Sequence, residues 1–218
     1  MALDMALLAS VAGGARPALR LYTWARPALS LGRFQSDDEV DRNACEQLGV
    51  EVVRRPTGGK ALLHGADLTY AVAIPRPEGA AGKVDAVYCS LASALVAGLA
   101  RLGVESAIAR HAGGAGKGPV CFTTMQGADL RVGARKLCGS AQVRRGGAVL
   151  QHGSILLDRL PFDETSLLRS RSGETVPDRG DLRRVTVTVR ELGAPHDPQA
   201  VGAALVEGFR ETLDVEFT

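Results

Sequence analysis

Residues 54–64 read Arg54-Arg55-Pro56-Thr57-Gly58-Gly59-Lys60-Ala61-Leu62-Leu63-His64. The stretch begins at the end of a β-branched run that includes Val52 and Val53, breaks at Pro56 into a Gly-Gly turn, and resumes as an apolar run closed by a histidine. Glycine pairs let backbone amides approach a ligand closely, because no Cβ stands in the way. Arg54, Arg55, Lys60 and His64 ring the turn with donors, which suits an acyl carbonyl, a carboxylate or a phosphate. An ordinary Gly-Gly hairpin with solvated charges explains the spacing equally well.

A second stretch supplies further chemistry. Val120-Cys121-Phe122 follows a glycine-rich segment, Lys136-Leu137-Cys138-Gly139-Ser140 opens a strand-like run, and Leu150-Gln151-His152-Gly153-Ser154 ends another. A thiol near a lysine or an imidazolium is easier to ionise and becomes a usable nucleophile. A cysteine is also a common small core residue, so this pattern alone leaves Cys121 undecided. Cys138 lies two residues after Lys136, on the same face of a regular strand, and is the rival thiol.

Taken together, the two stretches resemble the biotin/lipoate protein ligase superfamily. Arg-Arg-Pro-Thr-Gly-Gly followed by His64 and Leu68-Thr69-Tyr70-Ala71-Val72 is similar to its catalytic domain. Val-Cys-Phe, Arg-Lys-Leu-x-Gly-Ser-Ala-Gln and Leu-Gln-His-Gly-Ser-Ile-Leu-Leu are similar to its lipoyl-assembly octanoyltransferase branch, the cysteine-dependent octanoyl-acyl carrier protein:protein N-octanoyltransferases. The likeness runs from Met1-Ala2-Leu3-Asp4 through Leu29-Ser30-Leu31-Gly32-Arg33 and covers nearly the whole chain.

The resemblance implies octanoyl transfer from acyl carrier protein to a lysine of a lipoyl domain, such as the glycine cleavage H protein, through a thioester on Cys121 and without a cofactor. Lys136 is the implied partner that orients the acyl carbonyl and handles protons as the amine attacks. Arg54, Arg55, Thr57, Gly58, Gly59, His64, Gly139, Ser140, His152 and Gly153 are the expected substrate-binding set. The apolar segments 61–63 and 150–157 are expected to line a tunnel for the acyl chain. In the family Cys138 is usually an apolar residue, which reads here as core. Gly65 stands where an aspartate usually follows the histidine, which removes an expected hydrogen-bond acceptor. Competing readings are an ATP-dependent lipoate–protein ligase, an octanoyl amidotransferase between lipoyl domains, and a non-catalytic module that holds acylated carriers.

Composition fits these expectations. The 218 residues suit one catalytic domain over 1–218. A net charge of +2 and an aromatic content of 4% give little basis for nucleic-acid binding. The four cysteines show no metal or redox spacing, and no apolar run spans a membrane. A reducing cytoplasm is the compartment this implies.

The fold expected is α+β, with mixed or antiparallel sheet and flanking helices. Helices are expected near the N-terminus and over 37–48, 84–102, 162–168 and 198–213. Strands are expected over 18–24, 28–33, 67–74, 105–109, 128–132, 136–144, 148–157 and 215–217, with 185–189 a strand or a turn. The N-terminal helix has no capping residue ahead of it, and the family places an edge strand there, so the sequence reads as starting inside the domain.

Overall fold

The computed structural model describes residues 1–109, 128–169 and 179–217. Helix α1 (Ala2–Ala12) precedes β1 (Ala18–Tyr22), β2 (Ala28–Leu31), α2 (Arg42–Gln47), β3 (Glu51–Arg54), β4 (Leu62–His64) and β5 (Asp67–Pro75). Then come α3 (Val84–Ala100), β6 (Ala107–Ile108), β7 (Leu130–Val132), β8 (Arg135–Arg145), β9 (Ala148–Leu156), α4 (Arg179–Val185) and α5 (Pro198–Leu213). Six strands form one antiparallel sheet in the order β1-β5-β9-β8-β7-β6. A second, mixed sheet has the order β3-β2-β4, with β2 parallel to β3 and antiparallel to β4. The α+β expectation describes this arrangement.

β5 shows how the core is built. Alternate strand residues point to opposite faces, yet nearly all of β5 is buried. Leu68, Tyr70 and Val72 pack with α3 and α5 on one face, through Leu91, Leu95, Leu205 and Phe209. Ala71 and Ala73 join Ala148 and Leu150 under Leu8 and Val11 of α1 on the other. The small residues on that side let α1 sit close. His152 and Ser154 continue the Ala148–Leu150 row along β9, past the cover of α1.

The smaller sheet holds its own cluster, in which Leu29, Leu31, Cys45, Ala61, Leu63, Leu167 and Leu182 are buried together. The helix expected over 37–48 is split here. Ser36 Oγ caps a 3-10 turn at Asp37–Glu39, Val40 turns extended and buried, and Asp41 Oδ1 caps α2 through the Ala44 amide. Two capping side chains five residues apart each start their own helix, which continuous helical periodicity hides. Residues 215–217 form no strand, and 185–189 yields only a bridge from Thr186 to Lys136 after α4.

Glu164 begins the 3-10 turn Glu164–Leu167 beside this cluster and is 8% exposed. Burial pushes its carboxyl up to about 7. The native state therefore binds more protons than the unfolded chain between roughly pH 4.5 and 7, and stability falls as pH rises through that window. Glu164→Gln removes the titration. Urea unfolding should show the variant more stable at pH 8 by about 3 kcal/mol at most, and near wild type at pH 4. Equal offsets at both pH values would refute this.

Candidate active site

Where the two sheets meet, a cavity of about 200 Å³ opens. Its lining includes Ser30, Arg55, Gly58, Gly59, Lys60, Leu62, His64 and Thr69 from the first half of the chain. Tyr88 comes from α3, and Asp129, Lys136, Gly139, Ser140, Gln142, His152 and Gly153 come from the second half. Of the expected substrate-binding set, Arg55, Gly58, Gly59, His64, Gly139, Ser140, His152 and Gly153 share this cavity, while Arg54 and Thr57 do not line it. Cys121 lies outside the described residues.

Lys136 enters from β8, 2% exposed, and its Nζ lies 2.7 Å from Asp129 Oδ2, itself 3% exposed. A register shift between β7 and β8 at Leu130/Arg131 frees the chain just ahead of β7 to present Asp129 there. Asp129 Oδ1 also accepts from the Ser140 amide at 3.3 Å. The backbone of Lys136 is pinned by the Val187 amide, which donates to its carbonyl at 3.0 Å. Gly139 leaves room for the amine: a Cβ there would lie 3.3 Å from Nζ. Cys138 is fully buried in the main core and is not among the cavity-lining residues.

The two arginines of the opening motif brace the loop. Arg54 donates to the carbonyls of Gly32 and Gln35 and pairs with Asp37 at 2.8 Å. Arg55 is buried and donates to the carbonyls of Ser30, Gly58 and Lys60, at 2.8, 3.0 and 2.6 Å. It closes the Gly-Gly turn from within. Gly32 is required beneath that turn, since a Cβ there would sit 1.8 Å from the Gly59 oxygen.

Both site histidines have a carboxylate behind them and a hydroxyl in front. His64 Nδ1 is 2.8 Å from Asp67 Oδ2 and its Nε2 is 2.8 Å from Ser30 Oγ. Asp67 accepts only, so Nδ1 carries the proton and Nε2 accepts from Ser30. The missing acceptor at Gly65 is thus supplied by Asp67, which also takes the Gly65 amide at 2.8 Å. Burial opposes its charge, but His64, Ser154 and the Gly65 amide hold the Asp67 carboxyl below its ordinary range. Trp24 stacks on the His64 ring at 4.3 Å and anchors its indole nitrogen on Thr69.

His152 Nε2 lies 2.7 Å from Thr57 Oγ1, and Nδ1 a longer 3.4 Å from Asp4 Oδ2. Burial lowers its pKa, so it favours the neutral ring. Asp4, fully buried near the start of α1, is also bonded by Arg20 and Tyr22.

The acyl tunnel expected along 150–157 is not formed by its leucines. Leu150 packs under α1 and Ile155 in the main core. Among the described residues the apolar lining comes from Leu62, within the expected 61–63 segment, with Met1, Ala141 and the Tyr88 ring. Asp67, Asp129, Ser30 and Asp4 were not singled out in the sequence. Ser30 and Asp4 each interrupt an apolar run, a signal legible only once the run's two faces are known, whereas Asp67 and Asp129 stand at or just ahead of strand starts among mixed residues.

Comparison with known proteins matches this geometry to a family. The lipoyl protein ligase A/B catalytic domain model matches residues 1–210. An octanoyltransferase LipM of Carboxydothermus hydrogenoformans is 40% identical across 100% of this chain and 82% of its own length. One from Symbiobacterium thermophilum is also 40% identical, across 100% of this chain and 83% of its own. A crystal structure of lipoate-protein ligase A bound with ATP superposes with TM-score 0.80 at 26% identity, over 100% of this chain and 81% of that one. The chain therefore belongs to the lipoyl protein ligase A/B catalytic domain family, on its octanoyltransferase branch, and is an acyltransferase.

Proposed function

We propose that the protein moves an octanoyl group from acyl carrier protein to a lysine of a lipoyl domain, by way of a thioester on Cys121. The observation that carries this reading is the buried Lys136–Asp129 pair in a cavity with an apolar wall, beneath the Gly58-Gly59 turn. The Cys121 thiolate attacks the donor thioester, the donor C–S bond breaks, and the carrier leaves as its thiolate, which takes its proton from water. The lysine amine then attacks the new thioester, the amide C–N bond forms, and Cys121 departs as a thiol. One sulfur replaces another, so the first step needs no ATP. Lys136 offers a donor to the oxyanion of both steps, an effect worth about 3–4 kcal/mol in comparable sites. Burying an eight-carbon chain contributes about 0.8 kcal/mol per CH₂. Such a thiol catalyst suits the reducing cytoplasm.

The test is purified protein with octanoyl-acyl carrier protein and an unmodified lipoyl domain, with and without ATP. Transfer should proceed without ATP, and mass spectrometry of the quenched enzyme should find a hydroxylamine-sensitive octanoyl adduct on Cys121. Strict dependence on ATP and free acid would identify a ligase instead. Preference for an octanoylated lipoyl domain as donor would identify an amidotransferase.

A further inference from the structure

Attack by a lysine amine has a proton requirement that the thiol does not meet. The acceptor begins as an ammonium, with an ordinary pKa of about 10.4. It must lose one proton to attack and a second as the intermediate collapses, and the departing sulfur takes only one of them. With Lys136 held on Asp129 at 2.7 Å as the oxyanion donor, a further proton acceptor is needed within the cavity.

Among the described residues two histidines line it, and their geometry separates them. His152 turns Nε2 to Thr57, which does not line the cavity, and lies 3.4 Å from its carboxylate. His64 is held at 2.8 Å on both sides, and both it and Ser30 line the cavity. Arg55 Nη1 donates to Ser30 Oγ at 3.2 Å, and of the two acceptors for the hydroxyl proton His64 Nε2 at 2.8 Å is nearer than the Leu62 carbonyl at 3.4 Å. Asp67 is further fixed by Ser154 at 2.6 Å and Thr69 at 2.9 Å. Ser30 comes from β2, His64 from β4, and Asp67 and Thr69 from β5, so the line ties the small sheet to the large one. The charged and titratable groups facing it are Asp67, Arg55 from the turn and His152 from β9.

We propose that Ser30, His64 and Asp67 form the proton relay for aminolysis; this rests on the acyl-transfer reading above. Ser30 Oγ takes a proton from the acceptor ammonium as its own passes to His64 Nε2, and Asp67 balances the imidazolium. The freed electron pair on the lysine nitrogen forms the C–N bond, the C–S bond breaks, and Cys121 leaves with the second proton. His64 then returns its proton to water. Ser30 is the catalytic residue that touches the amine, and His64 and Asp67 act through it.

Single-turnover kinetics test this. Wild type, Ser30→Ala and His64→Gln are loaded with octanoyl from the carrier, then mixed with lipoyl domain across pH 6.5 to 10. In both variants aminolysis should slow about 100-fold at pH 7, at least about tenfold more than loading does. The deficit should shrink toward pH 10, where the acceptor deprotonates unaided. A deficit that is independent of pH, equal slowing of both half-reactions, or aminolysis at wild-type speed overturns the relay. A wild type that transfers no octanoyl overturns the acyl-transfer reading, and the relay with it.

Discussion

Lys136→Met should reduce octanoyl transfer about a thousandfold and destabilise the fold at the same time. The two losses have separate causes. Activity falls because the donor to the developing oxyanion is gone, an effect of about 10²–10³ in comparable sites. Stability falls because Asp129, 3% exposed, loses the partner 2.7 Å away. Breaking one side of a buried ion pair costs about 3–5 kcal/mol, whereas replacing both sides by apolar groups is often neutral. The double variant Lys136→Met/Asp129→Leu should therefore recover most of the stability in urea unfolding and none of the activity. Recovery of both, or a single variant within tenfold of wild type in transfer, would remove Lys136 from the chemistry.

That pairing marks the boundary of what the sequence discloses. Lys136 was legible because it opens a long alternating run after a turn, within a motif of recognisable order. Asp129 was not, because its position depends on the one-residue register shift between β7 and β8, and such irregularities leave no periodic trace. The Arg54-Arg55 pair shows a second limit: only Arg55 lines the cavity, and both side chains also brace the loop. Basic residues beside a glycine turn suggest a ligand, yet their guanidiniums meet backbone carbonyls of Gly32, Gln35, Ser30, Gly58 and Lys60. A sequence gives charge, but whether a charge faces a substrate or the loop that carries it depends on chain packing. α3 and α5 were legible from their helical period over sixteen residues or more, and β8 and β9 from the Gly146-Gly147 turn that joins two long strand-like runs. The break at Val40 and the missing C-terminal strand fall in short segments, where capping or a lack of partners outweighs pattern.

Among the glycines that line the cavity, Gly153→Ala should be the most damaging single-methyl addition. A Cβ at 153 would lie 2.4 Å from the Gly139 carbonyl oxygen and 2.6 Å from Tyr70 Cε1. Neither neighbour yields easily. Gly139 belongs to the β8 strand that pairs with β9. Tyr70 is fully buried, with its hydroxyl held by Ser140 and Gln151. Relief must come from separating β8 from β9, at a cost of about 2–3 kcal/mol for overpacking. For a chain of this size that lowers Tm by about 4–10 °C. The same shift carries Gly139 and the Lys136 amine away from the cavity, and a displacement of about 1 Å at such a site costs about 100-fold in rate. Gly202→Ala is the matched control. Gly202 is buried within α5, its added Cβ would meet only Leu21 Cδ1 at 3.5 Å, and alanine is the better helix former by about 1 kcal/mol. Calorimetry should therefore find Gly202→Ala at or above the wild-type Tm and Gly153→Ala well below it. If Gly153→Ala melts and turns over like wild type, β8 and β9 have slack at the site, and the close fit between Gly139 and Lys136 does not position the amine.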